Sequence, residues 1–382
     1  MYELPKEIDS FDEMKRNSFI AMKELKESGK NVVGVFCTYS PSELIYAAGA
    51  IPVGLCATSD EPIQYAEKDL PKNLCPLIKA SYGFAISDTC PFFYFSDMIL
   101  GETTCDGKKK MYELMNDIKD TYVMQLPQTS DTKSSFDLWK SEIIRLKEKF
   151  EEKFNIEITQ EKLQESIRVG NIERKNLMEY FELGKLVPPA LKGVEMNSTQ
   201  DGFSFLFDRE DKNQKLIART KELKENWEKN LKGTKTSRPR ILVTGCPVNG
   251  VREKILKTIE DTGGDIVAYD NCSGIREKQE MVDERKDPID AIAEKYLKIS
   301  CSVMSPNVRR LDDIRTICEE FQVDAVIEVV LQACHTYAIE ATSVKKYVNN
   351  DLELPYLYIE SDYSMLDFGQ VQTRIEAFFE ML

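Results

Sequence analysis

Short apolar runs alternate with amphipathic segments in the first third of the chain. Four runs of four to six residues are predicted as strands: NVVGVF (31–36), AIPVGL (50–55), DMIL (97–100) and YVMQL (122–126). Between them, apolar residues recur at helical spacing in PSELIYAAG, PLIKASYGFAI and KKKMYELMNDI. Strands that alternate with helices in this way predict a parallel, doubly wound sheet.

The hydrophobic pattern changes between about residues 133 and 232. Long charged segments there carry apolar residues three and four positions apart, which is the spacing of amphipathic helices. Their Lys and Glu runs are most simply interpreted as solvated helix faces with i,i+4 ion pairs. We therefore predict a helical section that joins two sheets.

A second alternating region follows the Gly-, Thr- and Ser-rich stretch LKGTKTSRPR (231–240). Its predicted strands are RILVTG, GDIVAYD, DAVIEVVL and LPYLYIE, and its predicted helices are REKILKTIEDTGG, DPIDAIAEKYL, NVRRLDDIRTICEEF and GQVQTRIEAFFEML. Asp287 and Pro288 suit the N-cap and first position of the helix DPIDAIAEKYL.

The predicted fold class is therefore α/β, with two doubly wound, Rossmann-like domains whose parallel sheets are joined by a helical section. We assign an N-terminal α/β domain to residues 1–132, a helical bridge to 133–235 and a C-terminal α/β domain to 236–382. A chain of 382 residues is long enough for two domains of ordinary size.

Composition narrows the possible partners. The formal net charge is −14, and because a nucleic-acid binder needs a basic face, we expect no nucleic-acid partner. No apolar stretch approaches the roughly 18–20 residues that span a bilayer, so no membrane partner is expected. The start, MYELPKEIDSFDEM, lacks a signal-peptide pattern. We expect a cytoplasmic protein whose ten cysteines stay reduced.

The cysteines follow the predicted strands. Six of the ten come just after the carboxyl end of a strand: Cys37, Cys56, Cys105, Cys246, Cys272 and Cys334. In open parallel sheets ligands bind at that edge, and two facing edges would bring cysteines of both domains into one cleft. Cys75 and Cys90 each precede a proline at a predicted helix start, Cys301 lies in a loop, and Cys318 is interpreted as a small core residue within a helix.

This pattern favours an iron–sulfur cluster over other metal sites. No C-x2-C pair is present, which excludes the usual zinc-ribbon and ferredoxin patterns. Thiolates suit iron–sulfur clusters, and the ligands can come from distant parts of a chain. His335 is the only histidine, which excludes a multi-His site. Any single cysteine could still be a buried, inert core residue.

Nucleotide-binding motifs are absent from the sequence. GCPVNGVR (245–252) has the glycine spacing of a P-loop, but Val251 and Arg252 replace its Lys-Ser/Thr pair. No G-x-G-x-x-G motif follows a strand, and no G-x-S-x-G elbow is present. We expect the chain itself to bind neither ATP nor a dinucleotide in a standard way.

At its cysteine motifs the sequence resembles the 2-hydroxyacyl-CoA dehydratase and benzoyl-CoA reductase family. The matching stretches run from residue 36 to about 340 and include LCPLIKASYGFAISDTCPFF, GETTCDGKKKMYELMN and LQACHTYAIE. Within the family, the sequence is most similar to the double-cubane cluster proteins. By match of motif, the resemblance to the dehydratases implies one [4Fe–4S] cubane held by Cys75, Cys105 and Cys334.

The resemblance to the double-cubane branch implies a larger cofactor, a double-cubane [8Fe–9S] cluster with about three thiolates per cubane. The implied ligands are Cys37, Cys75, Cys105, Cys272, Cys301 and Cys334. Cys246 is a seventh candidate, which could replace Cys301 or Cys37. Cys56 and Cys90 rank below these. A single [4Fe–4S] cluster is the alternative cofactor.

The same resemblance implies how the protein works. It implies a homodimer that receives electrons from a separate ATP-hydrolysing iron–sulfur activator protein and uses them to reduce a small-molecule substrate. Two alternatives stay open: an electron-storage or electron-transfer protein, and a 2-hydroxyacyl-CoA dehydratase-type enzyme. The extra cysteines and the lack of evidence for a CoA pocket weigh against the dehydratase.

Several residues near the motifs are further candidates for the chemistry. His335 could supply a proton at the cluster, although a local hydrogen-bonding role is the simpler interpretation. Glu43 could be a proton donor, and its place at a helix start also suits a capping role. Lys108, Lys109 and Lys110 could dock an acidic activator or balance cluster charge, or could simply be solvated. Gly107 is predicted to let the chain turn close to the cluster.

Overall fold

A computed structural model describes residues 13–382 of the chain. The first twelve residues of the predicted domain 1–132, with most of the stretch that lacks a signal-peptide pattern, lie outside the described residues. The described part contains two four-stranded, all-parallel sheets surrounded by helices. This confirms the predicted α/β fold class with two doubly wound sheets.

The first sheet contains all four strands predicted for it. Its elements are α1 (Glu13–Glu27), β1 (Asn31–Val35), α2 (Ser42–Ala47), β2 (Ala50–Gly54), α3 (Ile63–Ala66), α4 (Pro76–Ser87), α5 (Pro91–Phe95), β3 (Met98–Glu102), α6 (Asp106–Asn116) and β4 (Thr121–Met124). The strand order is β2-β1-β3-β4, and every pair is parallel. β3 is buried along its whole length, because helices cover both faces of the sheet.

The helical section also forms as predicted. It comprises α7 (Lys133–Phe154), α8 (Gln160–Phe181), α9 (Gly193–Phe203) and α10 (Arg209–Asn230). The N-cap side chains of Thr132, Thr159 and Asp208 accept hydrogen bonds from backbone N–H groups in the first turns of α7, α8 and α10. The longest helices are amphipathic rather than uniformly apolar, and no helix within residues 13–382 has both the length and the apolarity to cross a membrane.

The second sheet repeats the topology of the first. Its elements are β5 (Arg240–Gly245), α11 (Lys257–Asp261), β6 (Asp265–Asp270), α12 (Pro288–Leu297), α13 (Val308–Glu320), β7 (Ala325–Leu331), α14 (His335–Asn350), β8 (Tyr356–Ser361) and α15 (Phe368–Phe379). The parallel order is β6-β5-β7-β8, so β5 to β8 correspond to β1 to β4. In each sheet the connections reverse direction beside the first strand, and such a switch point is where open sheets bind ligands.

Helix α12 links the two halves. It is the next helix in the chain after β6 of the second sheet, yet its apolar face packs against α7. Ile292 and Tyr296 of α12 share a buried core with Val33 of β1 and Trp139 of α7. In the other direction, the start of α9 packs on β6. The helical section and α12 therefore connect the two sheets through buried contacts.

Candidate functional site

A cavity of about 580 Å³ lies at the carboxyl edges of both sheets. Segments that follow six of the strands line it, together with the start of α4 and the connection between α9 and α10. Eight of the ten cysteines border this cavity: Cys37, Cys56, Cys75, Cys105, Cys246, Cys272, Cys301 and Cys334. All of them are free thiols. The structure thus brings together the six predicted ligands, the seventh candidate Cys246 and the lower-ranked Cys56.

The eight thiols form four pairs at equivalent places in the two sheets. The pairs are Cys37 and Cys246 after the first strand of each sheet, Cys56 and Cys272 after the second, Cys75 and Cys301 in the connection to the third, and Cys105 and Cys334 after the third. This pairing follows from the repeated topology. Because the carboxyl edges border one cavity, equivalent positions in the two halves meet there.

Three of the cysteines stand at the N-terminal ends of helices. Cys75, Cys105 and Cys334 are the N-cap residues of α4, α6 and α14. Backbone N–H groups of the first helical turn lie near each sulfur and act to lower its pKa. Unpaired N–H groups at a helix start stabilise negative charge, so these positions suit a thiolate.

Cys334 is the centre of the first thiol group. It accepts hydrogen bonds from the thiols of Cys246 and Cys75, and these two donors hold its pKa well below the usual range. The bond to Cys334 and burial raise the pKa of Cys75, while burial and the same bond raise the pKa of Cys246. The backbone N–H of Leu331 also donates to Cys246 Sγ at 3.4 Å. Cys246 therefore lies beside two of the predicted ligands.

A second group contains Cys37, Cys272 and Cys301. Burial raises the pKa of Cys37 well above its usual value, and the charges of Cys272 and Cys301 raise it further. Burial, followed by the charge of Cys301, raises the pKa of Cys272 to about 11. Burial also raises the pKa of Cys105, which is influenced by both Cys334 and Cys301. Cys105 therefore lies between the two groups.

The three lysines after Cys105 have different environments. Lys108 lines the cavity, where its Nζ donates to the Phe36 carbonyl at 2.8 Å and lies 3.8 Å from Cys56 Sγ. Its charge acts to lower the pKa of both Cys37 and Cys105. Lys109 and Lys110 instead form i,i+3 ion pairs on the outer face of α6. Of these three lysines, only Lys108 can balance charge inside the cavity.

The role predicted for Gly107 is wrong. The residue lies inside α6 rather than in a turn. A β-carbon at this position would stand 2.7 Å from Ile78 Cδ1, so the glycine permits close contact between α6 and α4. The glycine is therefore explained by the close packing of α6 against α4, and not by an unusual backbone conformation.

Glu43 does not reach the cavity lining. It is buried in the first turn of α2, where it pairs with Arg174 and accepts a hydrogen bond from Tyr296 OH at 2.8 Å. Burial favours the neutral acid, but the charges of Arg174 and Lys295 overcome that effect and hold the pKa of Glu43 at about 2. Glu43 is therefore ionised at neutral pH, which does not suit the predicted proton donor. His335, by contrast, begins α14, is exposed and lines the cavity.

The two remaining cysteines lie elsewhere. Cys318 packs in the apolar core of the second sheet, which confirms its interpretation as a core residue. Cys90 is the N-cap of α5 and accepts a hydrogen bond from the Phe93 N–H at 3.4 Å. Neither borders the cavity.

The polar wall of the cavity was not predicted from the sequence. Glu277, Lys278 and Lys212 line it, and Tyr337 OH lies 3.9 Å from Cys301 Sγ. The lysines belong to charged segments that resemble ordinary solvated faces. The only available signal was that Glu277 and Lys278 closely follow Cys272.

The donor set suits an iron–sulfur cluster. Within residues 13–382, no group of three or more His, Cys, Asp or Glu side chains stands close enough to bind a single metal ion. A cubane differs from a single ion because each thiolate binds a separate iron, so its ligands need not converge on one point. Thiols around one cavity match the soft ligands that iron–sulfur clusters prefer.

The chain is similar to known proteins over most of its length. Residues 37–382 match the family model described as 2-hydroxyglutaryl-CoA dehydratase, D-component. The chain is 48% identical over 380 residues to the putative dehydratase subunit YjiM of Escherichia coli (strain K12), covering 100% of this chain and 99% of the relative. It is 24% identical over 365 residues to the (R)-phenyllactyl-CoA dehydratase beta subunit of Clostridium sporogenes, with 94% of each chain covered. It is 22% identical over 325 residues to a benzoyl-CoA reductase subunit from Thauera aromatica, covering 82% of this chain and 81% of the relative.

Proposed function

This chain belongs to the 2-hydroxyglutaryl-CoA dehydratase D-component family, a family of enzymes, and on that premise we propose that it is an iron–sulfur reductase of a small molecule. The proposed cofactor is a double-cubane [8Fe–9S] cluster in the thiol-lined cavity. The proposed ligands are Cys37, Cys75, Cys105, Cys272, Cys301 and Cys334. When bound, such a cluster supplies electrons at low potential.

The number of thiols at one cavity carries this proposal. A single cubane of the dehydratase type takes three cysteines, yet eight border the cavity here. Burial raises the pKa of several of these thiols, so as free groups they are protonated and inert. Iron would keep them deprotonated, because a metal-bound thiol loses its proton. A larger cluster uses twice as many of these cysteines.

We propose that the electrons come from a separate ATP-hydrolysing iron–sulfur activator, and that the enzyme itself is a homodimer. The chain has no P-loop of its own, which supports placing ATP hydrolysis on a separate protein. Curated relatives are named as subunits, which supports a multi-chain assembly. A cofactor at the carboxyl edges of both sheets is compatible with electron delivery by such a partner protein.

The chain's own residues would prepare the cavity for reduction. Lys108 places a positive charge beside Cys37, Cys56 and Cys105, which offsets the negative charge of several thiolates. His335 is exposed and also borders the cavity, so its imidazole can carry a proton from solvent to a bound molecule. Apolar and aromatic side chains, among them Phe36, Leu74 and Tyr337, form a large part of the remaining lining.

A 2-hydroxyacyl-CoA dehydratase-type activity with one [4Fe–4S] cluster is the second candidate. The names of the relatives favour it, and all three cysteines that the dehydratase resemblance implies border the cavity. The remaining thiols would then have no metal to bind. The two candidates differ in the iron content of the protein.

The deciding experiment is an iron and acid-labile sulfide analysis of anaerobically purified protein. About eight iron atoms per chain would support the double cubane, and about four would favour the dehydratase-type cluster. No iron after reconstitution would refute both. Cys105→Ser should lower the iron content and abolish reductase activity while the fold persists. Cys90→Ser is the matched control, since it lies off the cavity and serine keeps the cap acceptor.

A further inference from the structure

A buried network of charged side chains forms the wall of the cavity around Lys278. Lys278 pairs with Glu277, which also binds Lys295 Nζ at 2.6 Å and lies 3.7 Å from Arg174 Nε. Arg174 in turn pairs with Glu43. Each of these side chains exposes at most a quarter of its surface, and Lys278 is the most exposed at 24%.

A second part of the network comes from α8 and α10. Glu173 binds Arg209 at 2.7 Å and Lys212 at 3.2 Å. The two parts meet at Gly170, where a β-carbon would stand 3.3 Å from Arg174 Nη1 and 3.8 Å from Arg209 Nη2. The glycine therefore leaves room beside it for both guanidinium groups.

The network has more positive than negative groups. Its cations are Arg174, Arg209, Lys212, Lys278 and Lys295, and its carboxylates are Glu43, Glu173 and Glu277. Glu280 also acts on Lys295, but it is bound to Lys298 and Arg309 on the outer side. Burial, and then the charge of Arg174, lower the pKa of Lys295 well below its ordinary value, so Lys295 adds little positive charge. The other four cations against three carboxylates leave a surplus of about one positive charge. Surplus buried cations are costly unless a further anion joins them.

Two of the lysines of this network border the cavity. Lys212 and Lys278 are in its lining, whereas Arg174, Arg209 and Lys295 are not. Lys212 and Lys278 are paired with Glu173 and Glu277, but an ammonium group has three N–H donors, so each can also donate to a molecule in the cavity. We propose that Lys212 and Lys278 bind the carboxylate of a small organic substrate in this cavity. This inference rests on the proposed function only in calling the bound molecule a substrate.

The pKa of Lys278 is compatible with reversible binding of an anion. Burial, and then the charges of Lys295, Arg174 and Lys212, lower the pKa of Lys278 to about 7. An anion beside it would favour its charged form, so binding would be accompanied by proton uptake. The net charge of this network near neutral pH is therefore between zero and one, which suits a carboxylate better than a doubly charged phosphate.

The test measures binding rather than turnover, using anaerobically purified protein and isothermal titration calorimetry at pH 7. Propionate is the probe, and propionamide is its uncharged counterpart. We expect Lys278→Met and Lys212→Met each to weaken propionate binding at least tenfold. Lys278→Arg should retain most of the affinity because it keeps the charge. Lys221→Met is the control, since Lys221 lies on the same helix as Lys212 and is 76% exposed.

Three results would overturn the inference. Equal binding of propionate and propionamide would show that charge does not matter, and unchanged affinity in both methionine variants would place the anion elsewhere. Inorganic phosphate that binds more tightly than propionate, and is lost in the same variants, would replace the carboxylate class. Iron analysis of each sample separates this test from the proposed function, because lost binding at unchanged iron content concerns the lysines alone.

Discussion

At the scale of single residues, environment decides which charged groups can take part in chemistry. Glu43 and Lys278 belong to one network, but burial affects them in different ways. Two cations act on Glu43 and keep it ionised, whereas neighbouring cations act against the charge of Lys278. Sequence position suggested Glu43 as a proton donor, and its partner Arg174 is 131 residues away in the chain. Only the spatial partner reveals that Glu43 is a structural anion.

Glu43→Gln should destabilise the protein without removing iron. The change leaves Arg174 buried without its partner, so we expect the unfolding free energy at pH 7 to fall by about 3–5 kcal/mol. Because the folded-state pKa of Glu43 is about 2 and its ordinary value is 4.5, its contribution is complete above pH 4.5. The difference from wild type should shrink as the pH falls from 4.5 toward 2.

Urea denaturation at several pH values measures this difference. Glu148→Gln serves as the control, since Glu148 is exposed on α7 and should change stability by less than about 0.5 kcal/mol. If Glu43→Gln abolished reductase activity at unchanged stability, Glu43 would be a proton donor after all.

At the scale of elements, α12 shows how a local signal and a distant contact combine. Asp287 caps the helix by accepting the N–H groups of Ile289 and Asp290 at 3.1 and 3.2 Å, as the Asp-Pro sequence predicts. Where the helix packs was not predictable in the same way. Its apolar face would fit many surfaces, and the contact with α7 is decided by the path of the whole chain.

Asp287→Ala should loosen the start of α12. Loss of the cap leaves two backbone N–H groups without an acceptor and should lower the unfolding free energy by about 1 kcal/mol. Asp287→Asn should lose much less, because asparagine caps nearly as well. Equal losses for both substitutions, measured by urea denaturation, would mean that charge rather than capping matters at this position.

At the scale of the whole molecule, buried contacts connect the two sheets. α12, which follows β6 of the second sheet along the chain, packs in the core beside the first sheet. The buried ion pairs of Arg174 join residues from α2, α8 and the segment after β6. The boundaries 1–132, 133–235 and 236–382 stay a prediction. These boundaries follow changes in the sequence pattern, whereas buried contacts extend across them.

We therefore expect the two sheets to unfold together. Trp139 is buried in the core beside the first sheet, and Trp227 of α10 donates to the Pro188 carbonyl at 2.7 Å. In Trp227→Phe the fluorescence reports on Trp139, and in Trp139→Phe it reports on Trp227. Each fluorescence transition in urea should coincide with the far-ultraviolet circular dichroism transition of the same variant. Separate midpoints within one variant would show that the halves unfold independently.

The sequence by itself determined the elements, the fold class and most of the thiols that meet. All eight strands and the helical section could be predicted because periodicity and capping act over a few neighbouring residues. Six cysteines at strand ends predicted a shared cleft, because the carboxyl ends of parallel strands lie at one edge of a sheet.

Only the tertiary structure decided which groups become neighbours. It placed Cys246 beside Cys75 and Cys334, and it separated Lys108 from the two lysines that follow it. It also assembled the cationic wall from Lys212, Lys278 and their distant partners. These contacts depend on how two sheets and four bridging helices pack, and a contact between residues far apart in a chain leaves no periodic signal in either segment.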